Sequence, residues 1–308
     1  MGKRYAYVDC FEEIKQIPFG NPLIKFCGDK TIRKHSIKKF PNTIEDISYG
    51  SVPGFYIRIP VIKPTKQEDE DYITSIIQAF NQHLINYDID ILILDDALKR
   101  YRRQFNMSIS DGGILGVLYI NEVIEEAKKR IHKPYKDIRY VIVDGASTDT
   151  EYVLDHAAYD MNTLTLVTET PSRYESKLAD IYDECGLAVQ VKGKGLRQQI
   201  DGDIIIHCNK DNDKLYYCYQ DNGILIDFVS SEEVLLQTKI KRKDLAIIHK
   251  FEPNYLEQKW NADILLGIIL NSDRVLKNMY VHGYRYNVKD RIDKALNKYP
   301  IKFELKLF

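Results

Sequence analysis

Cysteine is scarce in this 308-residue chain, and the five present (Cys10, Cys27, Cys185, Cys208 and Cys218) form an odd set with no C-x-x-C pair. That excludes a disulfide framework and reads as reduced thiols, which places the protein in the cytoplasm. His207 and Cys208 are adjacent at the end of an apolar run, and neighbours on a strand point to opposite faces, so no metal site is expected there. Long hydrophobic runs are missing too. The opening Met1-Gly2-Lys3-Arg4-Tyr5 lacks the apolar stretch of a signal peptide, and no membrane association is expected. Charge of one sign is absent as well. Lys and Arg number 44 against 45 Asp and Glu, a net charge of −1, which argues against a nucleic-acid partner. The run Lys99-Arg100-Tyr101-Arg102-Arg103 and the basic residues Lys239, Lys241, Arg242 and Lys243 therefore read as solvated faces. With 16 Gly, 10 Pro and no internal repeat, collagen-like and low-complexity classes are also excluded.

What remains is a globular chain, 44% hydrophobic, long enough for about two domains at roughly 150 residues each. Residues 5–9, 22–26, 55–62 and 89–94 read as strands. Residues 67–86 carry Ile73, Ile76, Ile77, Phe80, Leu84 and Ile85 at helical spacing behind the acidic Glu68-Asp69-Glu70. A second long helix is expected over 113–131. From 137 onward, strands at 140–143, 164–167, 187–191, 204–207 and 224–229 alternate with helices at 150–159, 172–184 and 196–200. The βαβ alternation calls for a parallel sheet with right-handed crossovers. The fold class is thus α/β: a Rossmann-like doubly wound parallel sheet plus a second α/β domain completed by C-terminal helices. The expected division is an N-terminal α/β domain (1–112), an interdomain helix (113–136), the Rossmann-like domain (137–229) and a C-terminal helical segment (230–308) packing back on the first domain.

In a dinucleotide site the first strand runs into a glycine-rich turn, so that backbone N–H groups and a helix N-terminus approach the pyrophosphate. Here that turn is Val143-Asp144-Gly145-Ala146-Ser147-Thr148-Asp149-Thr150. Only one glycine of G-x-G-x-x-G survives, and Asp149 places a carboxylate where an anion would sit. Thr148 with Glu151 offers a capping box that would satisfy the helix N-terminus internally. The turn is therefore either a modified cofactor site, with Gly145, Ala146, Ser147 and Thr148 as its donors, or a closed one. Glu169 lies 24 residues after Gly145, near the spacing of the ribose-binding acid of NAD sites. Arg173 would stand near the adenine or a 2′-phosphate, so NAD and NADP both remain open, as does a site without cofactor.

These residues resemble the shikimate dehydrogenase-like group, together with the Rossmann domains of glutamyl-tRNA reductases and acyl-carrier-protein reductases. The second strand of that group ends N-R-T-x-x-R-A, and Thr168-Glu169-Thr170-Pro171-Ser172-Arg173-Tyr174 is similar. Its fourth strand reads D-I-V-I-N-A-T, beside Asp203-Ile204-Ile205-Ile206-His207-Cys208-Asn209 here. Gly54 to Lys63 is similar to G-x-N-V-T-x-P-x-K with one extra residue before the lysine, and Ser110-Asp111-Gly112-Gly113 partly matches N-T-D-G. The resemblance implies an NAD(P)-dependent oxidoreductase acting on a small or carrier-bound carbonyl or hydroxy compound. It also implies that Lys63 and Asp111 form the proton-transfer pair and that Asn209 lies at the cofactor. Tyr56 and Arg58 replace the family's Asn and Thr, which counts against shikimate itself. The other readings are a solvated Lys63 with a helix-capping Asp111, and a non-catalytic Rossmann-like binding or regulatory protein.

Overall fold

The computed structural model describes all residues except 1–3, 14, 15, 20, 21, 39–42, 50, 51, 64, 66–68, 85, 86, 196–198, 210–214 and 308. The chain divides into two compact units, Met1–Asp111 with Asp263–Lys277, and Gly112–Ala262 with Asn278–Phe308.

The first unit is built on strands β1 (Arg4–Phe11), β2 (Ile44–Tyr49), β3 (Val52–Ile62), β4 (Ile89–Leu94) and β5 (Ser108–Ile109), in the order β2-β3-β1-β4-β5. All run parallel except β2, which pairs antiparallel with β3. Helices α1 (Asp29–Lys38) and α2 (Glu70–His83) complete the α/β pattern. The sequence periodicity of α2 has a direct structural consequence. Ile73, Ile76, Ile77 and Phe80 are fully buried against Ala6, Val8, Ile57 and Ile59 of the sheet. Burial of each such side chain is worth about 1.5–3 kcal/mol. The expected residues 67, 68, 85 and 86 of this helix lie outside the described residues. Residues 22–26, expected as a strand, form a 3₁₀ turn, Pro22–Phe26, closed by Cys27 N–H donating to the Ile24 carbonyl at 3.0 Å. Proline at its start fixes φ near the helical value and removes a ladder donor, which suits a turn better than a strand.

The second unit begins with α3 (Gly113–Leu118) and α4 (Ile120–Lys128), where the sequence suggests one continuous helix. The break falls at Tyr119, whose backbone (φ −110°, ψ 40°) leaves the helical region. Its side chain is anchored elsewhere, because the Tyr119 hydroxyl donates to the Tyr299 carbonyl at 2.7 Å. There follow β6 (Tyr140–Val143), α5 (Thr148–Ala157), β7 (Leu164–Val167), α6 (Glu175–Cys185), β8 (Gln190–Lys192), β9 (Ile204–His207), β10 (Ile224–Asp227), α7 (Glu232–Lys241), β11 (Ala246–Tyr255) and β12 (Gln258–Lys259). The chain ends through α8 (Ala262–Ser272), α9 (Arg274–His282), α10 (Lys289–Leu296) and β13 (Lys302–Leu307).

Six strands in the order β8-β7-β6-β9-β10-β11 are all parallel. Numbered from β6, that order is 3-2-1-4-5-6, with a reversal between β6 and β9. This is the doubly wound Rossmann arrangement. β6, β7, β9 and β10 are buried at every position, as expected of strands covered on both faces. The helix expected over 196–200 falls largely outside the described residues, and β8 is shorter than the span 187–191 suggests.

The segment from 230 onward departs from the expected helical return. β11 supplies the sixth parallel strand, and β13 pairs antiparallel along it from Ile248 to Asn254. Only Asp263–Lys277 joins the first unit. There Gly267 lets α8 approach the sheet closely, since a Cβ at that position would meet Ile93 Cδ1 at 2.6 Å. No helix among the described residues is long and apolar enough to cross a membrane.

Candidate functional site

The first βα turn of the Rossmann sheet is organised by Asp144, which is 2% exposed. Its carboxylate accepts from the Tyr174 hydroxyl at 2.5 Å, the Thr168 hydroxyl at 2.6 Å and the Ala146 N–H at 2.6 Å. Burial pushes against its charge, but these hydrogen bonds outweigh that and hold the carboxyl below the usual carboxylate range. The bond to Ala146 closes an Asx turn in which Ala146 takes φ +50°, a left-handed conformation uncommon outside glycine. Gly145 is required by contact: a Cβ there would lie 2.0 Å from the Cys208 carbonyl oxygen and 3.0 Å from Asn209 Cα. The turn thus packs directly onto the end of β9, at the point where the strand order reverses. That places buried Asn209 beside Gly145.

The capping box suggested by Thr148 and Glu151 does not form. Ser147 is the N-cap of α5 and makes no side-chain cap, and its hydroxyl oxygen is buried without a hydrogen-bond partner among the described residues. Glu151 is instead held by the Arg173 guanidinium, at 3.0 Å from Nε and 2.6 Å from Nη2. The first N–H groups of a helix have no intrahelical acceptor and can face an anion, whereas the N–H groups leading into α5 are engaged, Gly145 with the Thr150 hydroxyl at 3.2 Å and Ala146 with Asp144. Asp149 in the first turn opposes an anion there.

The two residues expected at the ribose differ in availability. Glu169 is exposed, and its carboxylate has no partner among the described residues. Arg173 is engaged, because its Nη1 also donates to the Ala146 carbonyl at 2.7 Å.

Sequence reasoning overlooked a row of polar residues on the other side of the reversal. His207 and Asp227 lie at the carboxyl ends of β9 and β10, His249 follows Ile248, the last residue of β11 paired with β10, and the register pairs His207 with both Asp227 and Val143. His207 Nδ1 is 3.0 Å from Asp227 Oδ2, and His249 Nδ1 is 2.8 Å from the Asp227 carbonyl oxygen. Asp227 also accepts from the Ser230 N–H at 2.8 Å and hydroxyl at 2.6 Å. Burial opposes its charge, yet His207 and Ser230 hold its carboxyl below the usual range. The sequence signal was available, since each residue ends an apolar strand run two positions after a core residue, Ile205, Leu225 or Ile247. Among the described residues no group of three or more His, Cys, Asp or Glu is placed to hold a metal ion.

In the first unit Lys63 also stands at the carboxyl end of parallel strands, but its partner is not Asp111. Its ammonium lies 2.5 Å from Asp9 Oδ1 and 2.7 Å from Asp95 Oδ2, residues contributed by the ends of β1 and β4. Asp9 accepts in addition from the Tyr56 hydroxyl at 2.7 Å and the Cys10 N–H at 2.7 Å. Burial would lower the Lys63 pKa, but Asp9 and Asp95 raise it above the ordinary lysine range, so the ammonium is fixed in its charged form. Asp111 is half exposed and pairs with Arg102 Nη1 at 3.2 Å.

No family profile matches the chain, and no curated protein matches it. Among solved structures it is similar to L-tryptophan dehydrogenase from Nostoc punctiforme, at 13% identity over 96% of this chain and 78% of that one, with a TM-score of 0.36. It is also similar to a component of dipicolinate synthase from Bacillus halodurans, at 10% identity over 91% and 98%, TM-score 0.41. A third is shikimate 5-dehydrogenase from Listeria monocytogenes, at 10% identity over 96% of both chains, TM-score 0.34. The Rossmann assignment rests on the strand order, independently of these likenesses.

Proposed function

We propose that the chain is an NAD(P)-dependent oxidoreductase acting on a small or carrier-bound carbonyl or hydroxy compound. The observation that carries this reading is the uncapped N-terminus of α5 at the strand-order reversal, with the Ser147 hydroxyl buried beside it, without a partner among the described residues. That donor set fits a pyrophosphate. Backbone N–H groups of Ser147 and Thr148 would hold it over Gly145, with Asn209 at the neighbouring strand end, whereas the Ala146 N–H, expected as a third donor, is given to Asp144. Glu169 would accept from the ribose hydroxyls, which favours NAD over NADP because Arg173 is already engaged. A bound nicotinamide supplies the hydride chemistry, and the protein supplies binding, orientation and electrostatics. Lys63, held charged by Asp9 and Asp95, would steady a substrate oxygen, and Asp111 is proposed with it as a second proton-handling residue. The second reading, a non-catalytic binding or regulatory protein, is favoured by the Arg173 strap over the turn and by the carboxylate of Asp149 in the first turn of α5.

Titration of NAD(H) and NADP(H) into the purified chain, followed by nicotinamide fluorescence and thermal shift, separates the two. Saturable binding of either dinucleotide supports the oxidoreductase reading, and no binding of either overturns it.

A further inference from the structure

A cavity of about 660 Å³ opens within the second unit, between the carboxyl-terminal half of α5, the start of α4, α10 and the segment entering β13. Its volume lies within the range of about 300–1,000 Å³ that small-molecule sites occupy. Asp155 on its wall stands about 10 Å from Thr148 along the axis of α5, at about 1.5 Å per residue, so the cavity is separate from the candidate cofactor turn.

The walls are largely apolar, and the charges on them are of both signs. Leu118, Ile120, Tyr152, Leu296 and Ile301 line it and are buried. Lys289 and Asp293 line it one turn apart on α10, in the i, i+4 relation that makes side chains neighbours. The lysine comes first, which is the less favourable order for a helical ion pair, and each charge is held by another group. Lys289 donates to the Asp155 carbonyl at 2.7 Å and lies 4.6 Å from the centre of the Tyr159 ring. Asp293 Oδ1 lies 3.0 Å from His156 Nε2.

The hydrogen-bonding capacity that remains defines what the cavity can receive. An ammonium has three donors, and with one on Asp155 and one side of the group over Tyr159, Lys289 keeps a donor for an incoming anion. Asp293 keeps Oδ2 for an incoming cation. Glu122 adds a second carboxylate at the rim, exposed and with no hydrogen bond or ion pair among the described residues. A ligand carrying only an ammonium satisfies the carboxylates but brings its charge beside Lys289. One carrying only a carboxylate meets Asp293 and Glu122 in the same way. A zwitterion satisfies both signs at once, and the apolar walls are left for a hydrocarbon group.

We infer that this cavity binds a free α-amino acid with an apolar side chain, its carboxylate on Lys289 and its ammonium on Asp293 and Glu122. The site goes beyond the oxidoreductase reading and stands without it.

Isothermal titration calorimetry of the full chain, without dinucleotide, tests this with two amino acids and analogues that each lack one charge. L-Phenylalanine is compared with phenethylamine and 3-phenylpropionate, and L-leucine with 3-methylbutylamine and 4-methylpentanoate. At least one of the amino acids is expected to bind, at least about tenfold more tightly than both of its analogues. Lys289→Met should weaken the amino acid about tenfold while leaving the amine analogue no weaker, and Asp293→Asn should weaken it while leaving the carboxylate analogue no weaker. Melting curves check that both variants are folded. Glu122→Gln changes only an exposed rim residue and should also weaken the amino acid, so the site stays testable if a change on α10 disturbs folding. No binding of either amino acid, an analogue that binds as tightly, or unchanged affinity in Lys289→Met and Glu122→Gln alike overturns the inference.

Discussion

The guanidinium of Arg173 reaches back from the second βα connection to the carbonyl of Ala146, 2.7 Å away, and holds Glu151 with its other face. An arginine so engaged must give up two partners before it can receive a 2′-phosphate, whereas Glu169 is free to accept from a ribose. NAD(H) is therefore expected to bind more tightly than NADP(H), and Glu169→Ala to narrow or reverse the difference. Parallel titrations of the two cofactors into both proteins check this; tighter NADP(H) binding by the unmodified chain would overturn the assignment.

Asp149 in the first turn of α5 disfavours an anion by about 0.3–1 kcal/mol at an exposed helix terminus. Asp149→Asn is expected to tighten dinucleotide binding about two- to fivefold, an effect that added salt should diminish. Unchanged affinity would show that Asp149 does not face the pyrophosphate.

Gly145→Ala forces a Cβ into the Cys208 carbonyl. Backbone on both sides must shift, so a loss of about 1–3 kcal/mol in stability is expected, together with loss of dinucleotide binding. Urea midpoints of the two proteins measure the first effect, and a variant of wild-type stability would mean that the turn does not rest on β9.

Asp144 and Asp227 both have folded-state carboxyl pKa values below the ordinary one. A depressed carboxylate pKa contributes stability that is present above the unfolded value, about 3.9, and is lost as pH falls through the folded value. The melting temperature is accordingly expected to fall below about pH 4, and Asp144→Asn to flatten that decline while lowering stability at neutral pH. Melting curves from pH 7 to pH 2 test it; an equally steep decline in the variant would remove Asp144 as a contributor.

Lys63→Met is expected to lower turnover about a hundredfold or more on an identified substrate. Asp111→Asn removes a half-exposed pair with Arg102, worth about 0–1 kcal/mol, so it should leave folding intact. Comparable losses of turnover in both variants would support a shared role. Full activity in both would take the pair out of the chemistry.

Local pattern alone determined much of this protein. The 3.6-residue spacing of Ile73, Ile76, Ile77 and Phe80 specified α2, and the short apolar runs ending at Val143, Val167 and His207 specified buried parallel strands, because each signal is written within one element. Gly145 marked the close approach, since only glycine fits against another backbone. Long-range contacts decided the rest. The break at Tyr119 depends on a carbonyl 180 residues away, and β11 and β13 are strands because they pair with β10 and with each other. The same holds for the sites. The family resemblance singled out Lys63, but only folding brings Asp9 and Asp95 to it from two other strands, and only the parallel register sets His207 beside Asp227. A sequence pattern reports which face a residue takes within its own element; which strand lies next to it is settled by the free energy of the whole sheet.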